Sequence, residues 1–438
     1  MKKNLLSGLL FFLFIFPLLA QDKGNFYDHF NDSTLRIDYI FGGGPQGNHI
    51  FLNAQTKQKG WAGRRHNLKK TPVSGNGNIL ITNPISGDTL YNNCFSTLFQ
   101  EWITTPEASQ NSLGFENSFL VPLPKEEAEI TISLKNNRGE EIAKHSHRYR
   151  PNDELVKISN GSKLNYKYLH QAPAPNRAID LAILAEGYTT DQMEAFLSTA
   201  SSISNEILSY EPFASNKDYF NIVAVFSPSE ESGTSIPLNQ VWKNTRYGSH
   251  FSTFYSDRYL TAPKVWKMHQ DLEGIPYEYV LILVNTSKYG GGGIFNNYQI
   301  ASANNEFTLP VSVHEFGHSF AGLADEYDYG DNEDETYPGD IEPWEQNITT
   351  LVDFGSKWET SIDKDIPIPT PWENKSVLEN RNLKPEDLKL GVYEGAGYRK
   401  NGIFRPTVTC RMRDNYFPTF CPVCKMAIQE IIDFYTDR

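Results

Sequence analysis

Between residues 25 and 158 short apolar runs alternate with polar positions at a period of two, in stretches rich in Thr, Tyr, Phe and Ile. That period is the mark of half-buried strands. The clearest runs are 35–41, 78–82, 129–134 and 140–147. Turn signals separate them at Gly75-Asn76-Gly77, Ser86-Gly87-Asp88 and Asn136-Asn137-Arg138-Gly139. Strands at this spacing predict an antiparallel β-sandwich over residues 21–160.

A polar stretch at 159–162 and the run Ala172-Pro173-Ala174-Pro175 mark a boundary, and the pattern then changes. Residues 179–185, 219–226 and 279–284 are nearly unbroken apolar runs, as expected of strands buried on both faces. Residues 190–208 have helical periodicity, and further helices are expected between the strands. This alternation predicts an α/β sheet covered on both faces within residues 161–438. The fold class is therefore α+β/α/β, with the sandwich first.

The 438 residues suffice for two or three domains. At the start, Met1-Lys2-Lys3 precedes an uncharged apolar run over 5–19 and then Ala20, which reads as a signal peptide over residues 1–20. The run is shorter than the roughly 20 residues of a spanning helix, and nothing later is comparable, so no membrane span is expected after its removal. A secreted, periplasmic or cell-surface destination follows. Losing Lys2 and Lys3 takes the formal net charge from −13 to −15. So acidic a surface excludes nucleic acid as a partner.

Candidate chemistry is concentrated in one segment. Thr308-Leu309-Pro310 can open a helix, with Thr308 or Asn305 near its cap and Pro310 in its first turn. On that helix His314 and His318 lie four residues apart, so both imidazoles project from one face and can reach one ion. Glu315, rotated about 100° from His314, is placed to act on a water beside that ion as general base. Neutral imidazoles suit Zn²⁺, which lowers the pKa of a bound water toward about 7.

A catalytic zinc needs a third protein ligand. Asp325 lies eleven residues after His314, and an uninterrupted helix would carry it about 16 Å away. The chain must therefore turn back, and Gly322 can supply the left-handed helix end. Asp325 is the first choice for third ligand and Glu326 the second, with Asp328, Asp331 and Glu333 behind them. Upstream, the glycines at 290–293 allow either a close approach to a ligand or a mobile surface loop. Gly291 and Gly292 are candidates for substrate binding, together with Tyr416.

The stretch His314-Glu-Phe-Gly-His-Ser-Phe-Ala-Gly-Leu-Ala-Asp-Glu-Tyr327 resembles the secreted bacterial IgA-peptidase family of zinc metallopeptidases, which belongs with the metzincins. In the broader metzincin pattern the glycine and third ligand fall seven and ten residues after the first His; here they fall at eight and eleven. Cys410-Arg411-Met412-Arg413 resembles the Met-turn, and Phe420-Cys421-Pro422-Val423-Cys424 with a helix over 422–435 resembles the family's ending. Residues 180–188 and 289–293 and the N-terminal β-domain are similar too. The resemblance implies a metzincin-like zinc endopeptidase acting on protein or peptide, with His314, His318 and Asp325 as ligands and Met412 as the floor. No determinant for immunoglobulin A is visible.

Other features carry less. Cys421 and Cys424 have knuckle spacing, but no second Cys pair accompanies them. A disulfide from Cys410 to either would tie the Met-turn to the last helix, whereas Cys94 has no obvious partner. The acidic run 325–335 lacks the order of an EF-hand. Tyr327 and Tyr416 are candidate donors to a developing oxyanion. His145 and His147 are expected on a solvated strand face. The alternative to a peptidase is an exported glycan- or protein-binding surface module with a structural or non-catalytic metal.

Overall fold

The computed structural model describes residues 25–330, 336–372 and 382–438. The signal-peptide segment, Asp331 and Glu333 lie outside the described residues. Strands β1 (Phe30–Gly43), β2 (His49–Lys59), β3 (Gly77–Thr82), β4 (Thr89–Phe95), β5 (Leu113–Pro124), β6 (Ala128–Lys135), β7 (Glu141–Tyr149) and β8 (Lys157–Ile158) build the N-terminal part. They form two four-stranded sheets, in the orders β5-β1-β2-β8 and β4-β3-β6-β7. Pairing is antiparallel except between β2 and β8. Short helices α1 (Phe26–His29) and α2 (Leu98–Trp102) accompany them.

Alternation places the core. In β6 Ala128, Ile130, Ile132 and Leu134 are buried while their neighbours are half-buried. They meet Phe41, Phe95 and Phe119 between the sheets, the last two with ring centroids 4.2 Å apart. The outer face of β1 is covered as well. Arg36 and Asp38 are buried there, and Arg36 reaches Glu273 of the second half at 2.6 Å. His145 and His147 depart from expectation, since both rings lie half-buried on the inward face of β7. His147 Nε2 bonds the Tyr39 hydroxyl at 2.7 Å, and burial lowers its pKa to about 4.

The second half is organised on a six-stranded sheet. Its strands are β9 (Tyr166–His170), β10 (Ile179–Glu186), β11 (Phe220–Val225), β12 (Tyr279–Val284), β13 (Gly291–Gly293) and β14 (Gln299–Ser302), in the order β13-β14-β12-β10-β11-β9. The four inner strands are parallel, and the edges β9 and β13 run antiparallel. β10, β11 and β12 are buried throughout, as their apolar runs require.

Helices α3 (Met193–Ile207), α5 (Thr308–Ala321) and α6 (Pro422–Thr436) contribute to the core on one face. The other face is covered by α4 (Val265–Asp271) and by residues 227–264. Those residues form turns, isolated bridges and two short 3-10 turns at Pro237–Asn239 and Thr253–Tyr255, so the α-helix expected between β11 and β12 is confined to α4. Their backbone is anchored instead by Glu186, whose buried carboxylate accepts from Tyr247 N at 2.9 Å and Ser249 N at 2.8 Å. A small hairpin of β15 (Tyr393–Ala396) and β16 (Arg399–Arg405) completes the described strands.

Candidate metal centre

α5 carries the histidines, and its start differs in detail from expectation. Phe307 holds the cap position, while Asn305 Oδ1 accepts from Phe307 N at 2.9 Å and the Thr308 hydroxyl accepts from Asn305 N at 3.0 Å. These side chains fold the preceding turn instead of capping the helix. Pro310 sits in the first turn, as expected.

His314 and His318 stack one turn apart with their Nε2 atoms 3.0 Å from each other. Each Nδ1 donates to a backbone carbonyl, of Arg411 at 2.9 Å for His314 and of Leu323 for His318. A carbonyl can only accept, so the proton sits on Nδ1 and the Nε2 lone pairs face each other.

Gly322 ends the helix at φ 61° and ψ 34°, where a side chain is disfavoured. A Cβ there would also lie 2.5 Å from the Trp344 ring. Gly322 N bonds His318 O at 2.9 Å and Leu323 N bonds Gly317 O at 3.2 Å, closing the helix and reversing the chain. The reversal returns Asp325, whose Oδ1 lies 3.0 Å from His314 Nε2 and 3.3 Å from His318 Nε2.

Three atoms around an ion at about 2.0–2.1 Å in tetrahedral geometry would be about 3.3–3.4 Å apart. The observed triangle is slightly tighter than that face, and Asp325 Oδ1 is buried with no donor in reach but those two imidazoles. Three lone pairs so arranged repel one another unless a positive charge sits among them. Without a cation, a proton on His318 Nε2 takes that place. Burial opposes it, yet Asp325 prevails and raises the pKa to about 9. The residues thus fit a cation with three protein ligands and an open fourth position.

The remaining groups are arranged around this triangle. The Glu315 carboxylate lies within 4.8 Å of the imidazole nitrogens, and desolvation raises its pKa. β13 runs against α5 so closely that a Cβ at Gly291 would meet Glu315 Oε1 at 2.6 Å, and one at Gly293 would meet Glu315 O at 2.5 Å. The glycine run is therefore an edge strand in contact with the helix, not a loose loop. Met412 is fully buried beneath α5, its Sδ 2.7 Å from where a Cβ at Gly317 would stand.

Some expected residues lie elsewhere. Glu326 is turned away from the histidines, toward Asn347 and Cys424. Asp328 is 3.7 Å from Arg413 Nη1. Tyr416 is half exposed, packs edge-on against Phe307, and is not among the residues walling the cleft. The thiols of Cys410, Cys421, Cys424 and Cys94 are free, so Cys410 is bridged to neither Cys421 nor Cys424; Cys410 and Cys424 stand 3.7 Å apart at sulfur.

Other groups were not evident from sequence. The Tyr398 hydroxyl donates to Asp325 Oδ2 at 2.5 Å, and Asn347 Oδ1 accepts from Ala324 N at 2.8 Å. The cleft beside the centre has a volume of about 640 Å³. Arg258, Tyr259, Tyr289 and Tyr327 line it, as do Asn76 and Glu101 from the N-terminal part. Glu101 accepts from the Tyr259 hydroxyl, and the desolvating cleft walls push its pKa up to about 7. A larger cavity of about 960 Å³ is lined by Arg64, Asp180 and Glu278 and includes none of the α5 residues.

Among the described residues no helix is long and apolar enough to cross a membrane. No curated protein matches the chain. Residues 168–388 and 382–432 match the family model described as IgA Peptidase M64, and residues 25–146 match Peptidase M64 N-terminus. The first match covers more than half of the chain and contains α5, Asp325 and Met412. With an N-terminal β-domain in front of a catalytic domain, the chain belongs to the IgA peptidase M64 family and is a metallopeptidase, a hydrolase of peptide bonds.

Proposed function

We propose that the chain is an exported, metzincin-like zinc endopeptidase, with His314, His318 and Asp325 holding Zn²⁺ and Glu315 acting as general base. The observation that carries this reading is the triangle of two imidazole nitrogens and a carboxylate oxygen, 3.0–3.3 Å apart, with no other protein donor at Asp325 Oδ1. Imidazole and carboxylate donors with a fourth position open suit catalytic zinc. Zinc held there would polarise the scissile carbonyl and acidify water beside it toward a pKa of about 7.

The chain's own residues do the rest. Glu315, made more basic by desolvation, takes a proton from the attacking water onto its carboxylate and returns it to the leaving amine. Tyr398 holds Asp325 in place through Oδ2, and the Arg411 and Leu323 carbonyls hold the imidazoles. Met412 packs beneath as an apolar floor. Gly291 and Gly292 border the cleft, where a peptide's backbone can come near α5. The basic, apolar and small-residue order of the first twenty residues supports export. The domain division at 160/161 belongs to the same reading.

Glu315→Gln is the direct test. Metal content should be unchanged, while cleavage of a mixed peptide library should fall about 10²–10⁴-fold. Unaltered turnover in that variant would sink the mechanism.

A further inference from the structure

Behind the histidine centre lies a second group of metal-ligating side chains. Glu326, Cys410, Cys421 and Cys424 are all buried, and one ligand atom from each lies within 4.8 Å of every other. We infer that these four residues form a second, structural zinc site that joins the third-ligand loop, the Met-turn and the start of α6.

The separations agree with a tetrahedron. At a zinc–sulfur distance of about 2.3 Å, two sulfurs stand about 3.8 Å apart, and a sulfur and a carboxylate oxygen about 3.5 Å. Cys410 and Cys424 are 3.7 Å apart at sulfur, and Glu326 Oε1 lies 3.1 Å from Cys424 Sγ and 3.8 Å from Cys421 Sγ. A disulfide requires about 2.0 Å, and any one pairing would strand the third thiol beside a buried carboxylate. Glu326 is 0% exposed and its Oε2 has no donor. That unpartnered oxygen is costly without a cation.

The backbone is arranged for thiolates. Cys421 occupies the cap of α6, where the helix end favours negative charge. Cys424 N donates to Cys421 Sγ at 3.5 Å, and Cys421 N donates to Cys410 Sγ at 3.1 Å. Three thiolates and a carboxylate around a dication leave an excess of two negative charges. Arg413, which donates to Glu326 O at 2.8 Å, and Arg405, which shares the Trp372 ring with it, offset that excess. All four positions are protein ligands, so no place is left for a substrate and the site is structural. The knuckle spacing at Cys421 and Cys424 was set aside for want of a second Cys pair, because the other two ligands come from 11 and 95 residues earlier in the chain.

The experiment is a metal count on full-length protein purified without chelators. Wild type should carry two zinc equivalents per chain and His318→Ala one. Cobalt-loaded His318→Ala should retain the near-ultraviolet absorption of sulfur-to-cobalt charge transfer, and should lose it when Cys421→Ser is added. Denatured in chelator, the wild-type chain should titrate as four free thiols. A cobalt spectrum without thiolate absorption, or a count of only two thiols, would overturn the site. If wild type instead held one zinc that His318→Ala kept, with the thiolate band intact, this site would stand and the histidine centre would fall.

Discussion

Asp325 and Glu326 are joined by one peptide bond, yet their carboxylates serve opposite surroundings. Asp325 closes a triangle with two imidazoles on the wall of a cleft; Glu326 points into a sealed nest of three thiols. In extended backbone, successive side chains leave on opposite sides, so one short segment can supply both. The difference lies in access and donor type. Nitrogen and oxygen ligands beside open space leave a coordination position for chemistry, whereas three soft sulfurs and an acid in a closed core leave none. On the proposed assignments, one loop connects a site that must exchange water and substrate with a site that must not.

The strongest way to break this comparison is to exchange the two acids' fates. Asp325→Ala should lower kcat/KM about 10³-fold or more, because the proposed third ligand is lost where charge develops. Its thermal midpoint should stay close to that of wild type, while Glu326→Ala should unfold several degrees lower. Equal thermal losses in the two variants would show that the sites do not differ in kind.

An intermediate effect is expected at Tyr398→Phe, which removes only the hydrogen bond to Asp325 Oδ2. Metal affinity at the histidine centre should weaken about 10–100-fold in competition with a chelator. The thiol site should hold its ion unchanged; weakening at both would mean that they bind as one unit.

The smallest effect on turnover should come from Asp180→Asn, remote from both centres. Burial raises the Asp180 carboxyl to about 7 from an ordinary value of 3.8, against its bond from Asn221. An acid with a raised folded pKa contributes stability that is complete below about pH 4 and is lost as pH rises through about 7. The variant does not titrate there, so its advantage in thermal midpoint should grow between those limits and then level off. A gap independent of pH would contradict the assignment.

What the sequence made legible was whatever depends on local spacing. Alternation placed β6 and β7, unbroken apolar runs placed β10 and β12, and His314, His318 and Gly322 followed from helical geometry. Asp325 was accessible because a helix end had to reverse the chain. Tyr398 and Asn347 were not, since they reach the loop across 73 and 23 residues through tertiary packing. Residues 227–264 stayed unassigned for a related reason: their backbone is held by bonds to Glu186 on β10, a contact that local periodicity does not show. The Cys421–Cys424 spacing was visible, but its context came from distant parts of the chain.

The contact between His314 Nδ1 and the Arg411 carbonyl spans 97 residues. It makes readiness of the centre a matter of sequence in time. A ribosome releases the histidine helix long before the segment that orients its first imidazole, and the growing chain carries its peptidase motif without the support that aims it. Nascent chains halted between Asp325 and Cys410 are therefore expected to be inert toward their own and neighbouring polypeptides, and chains extended past Cys424 to gain activity in one step. Measuring cleavage by a ladder of such arrested chains would reveal whether late closure acts as the enzyme's own safety catch.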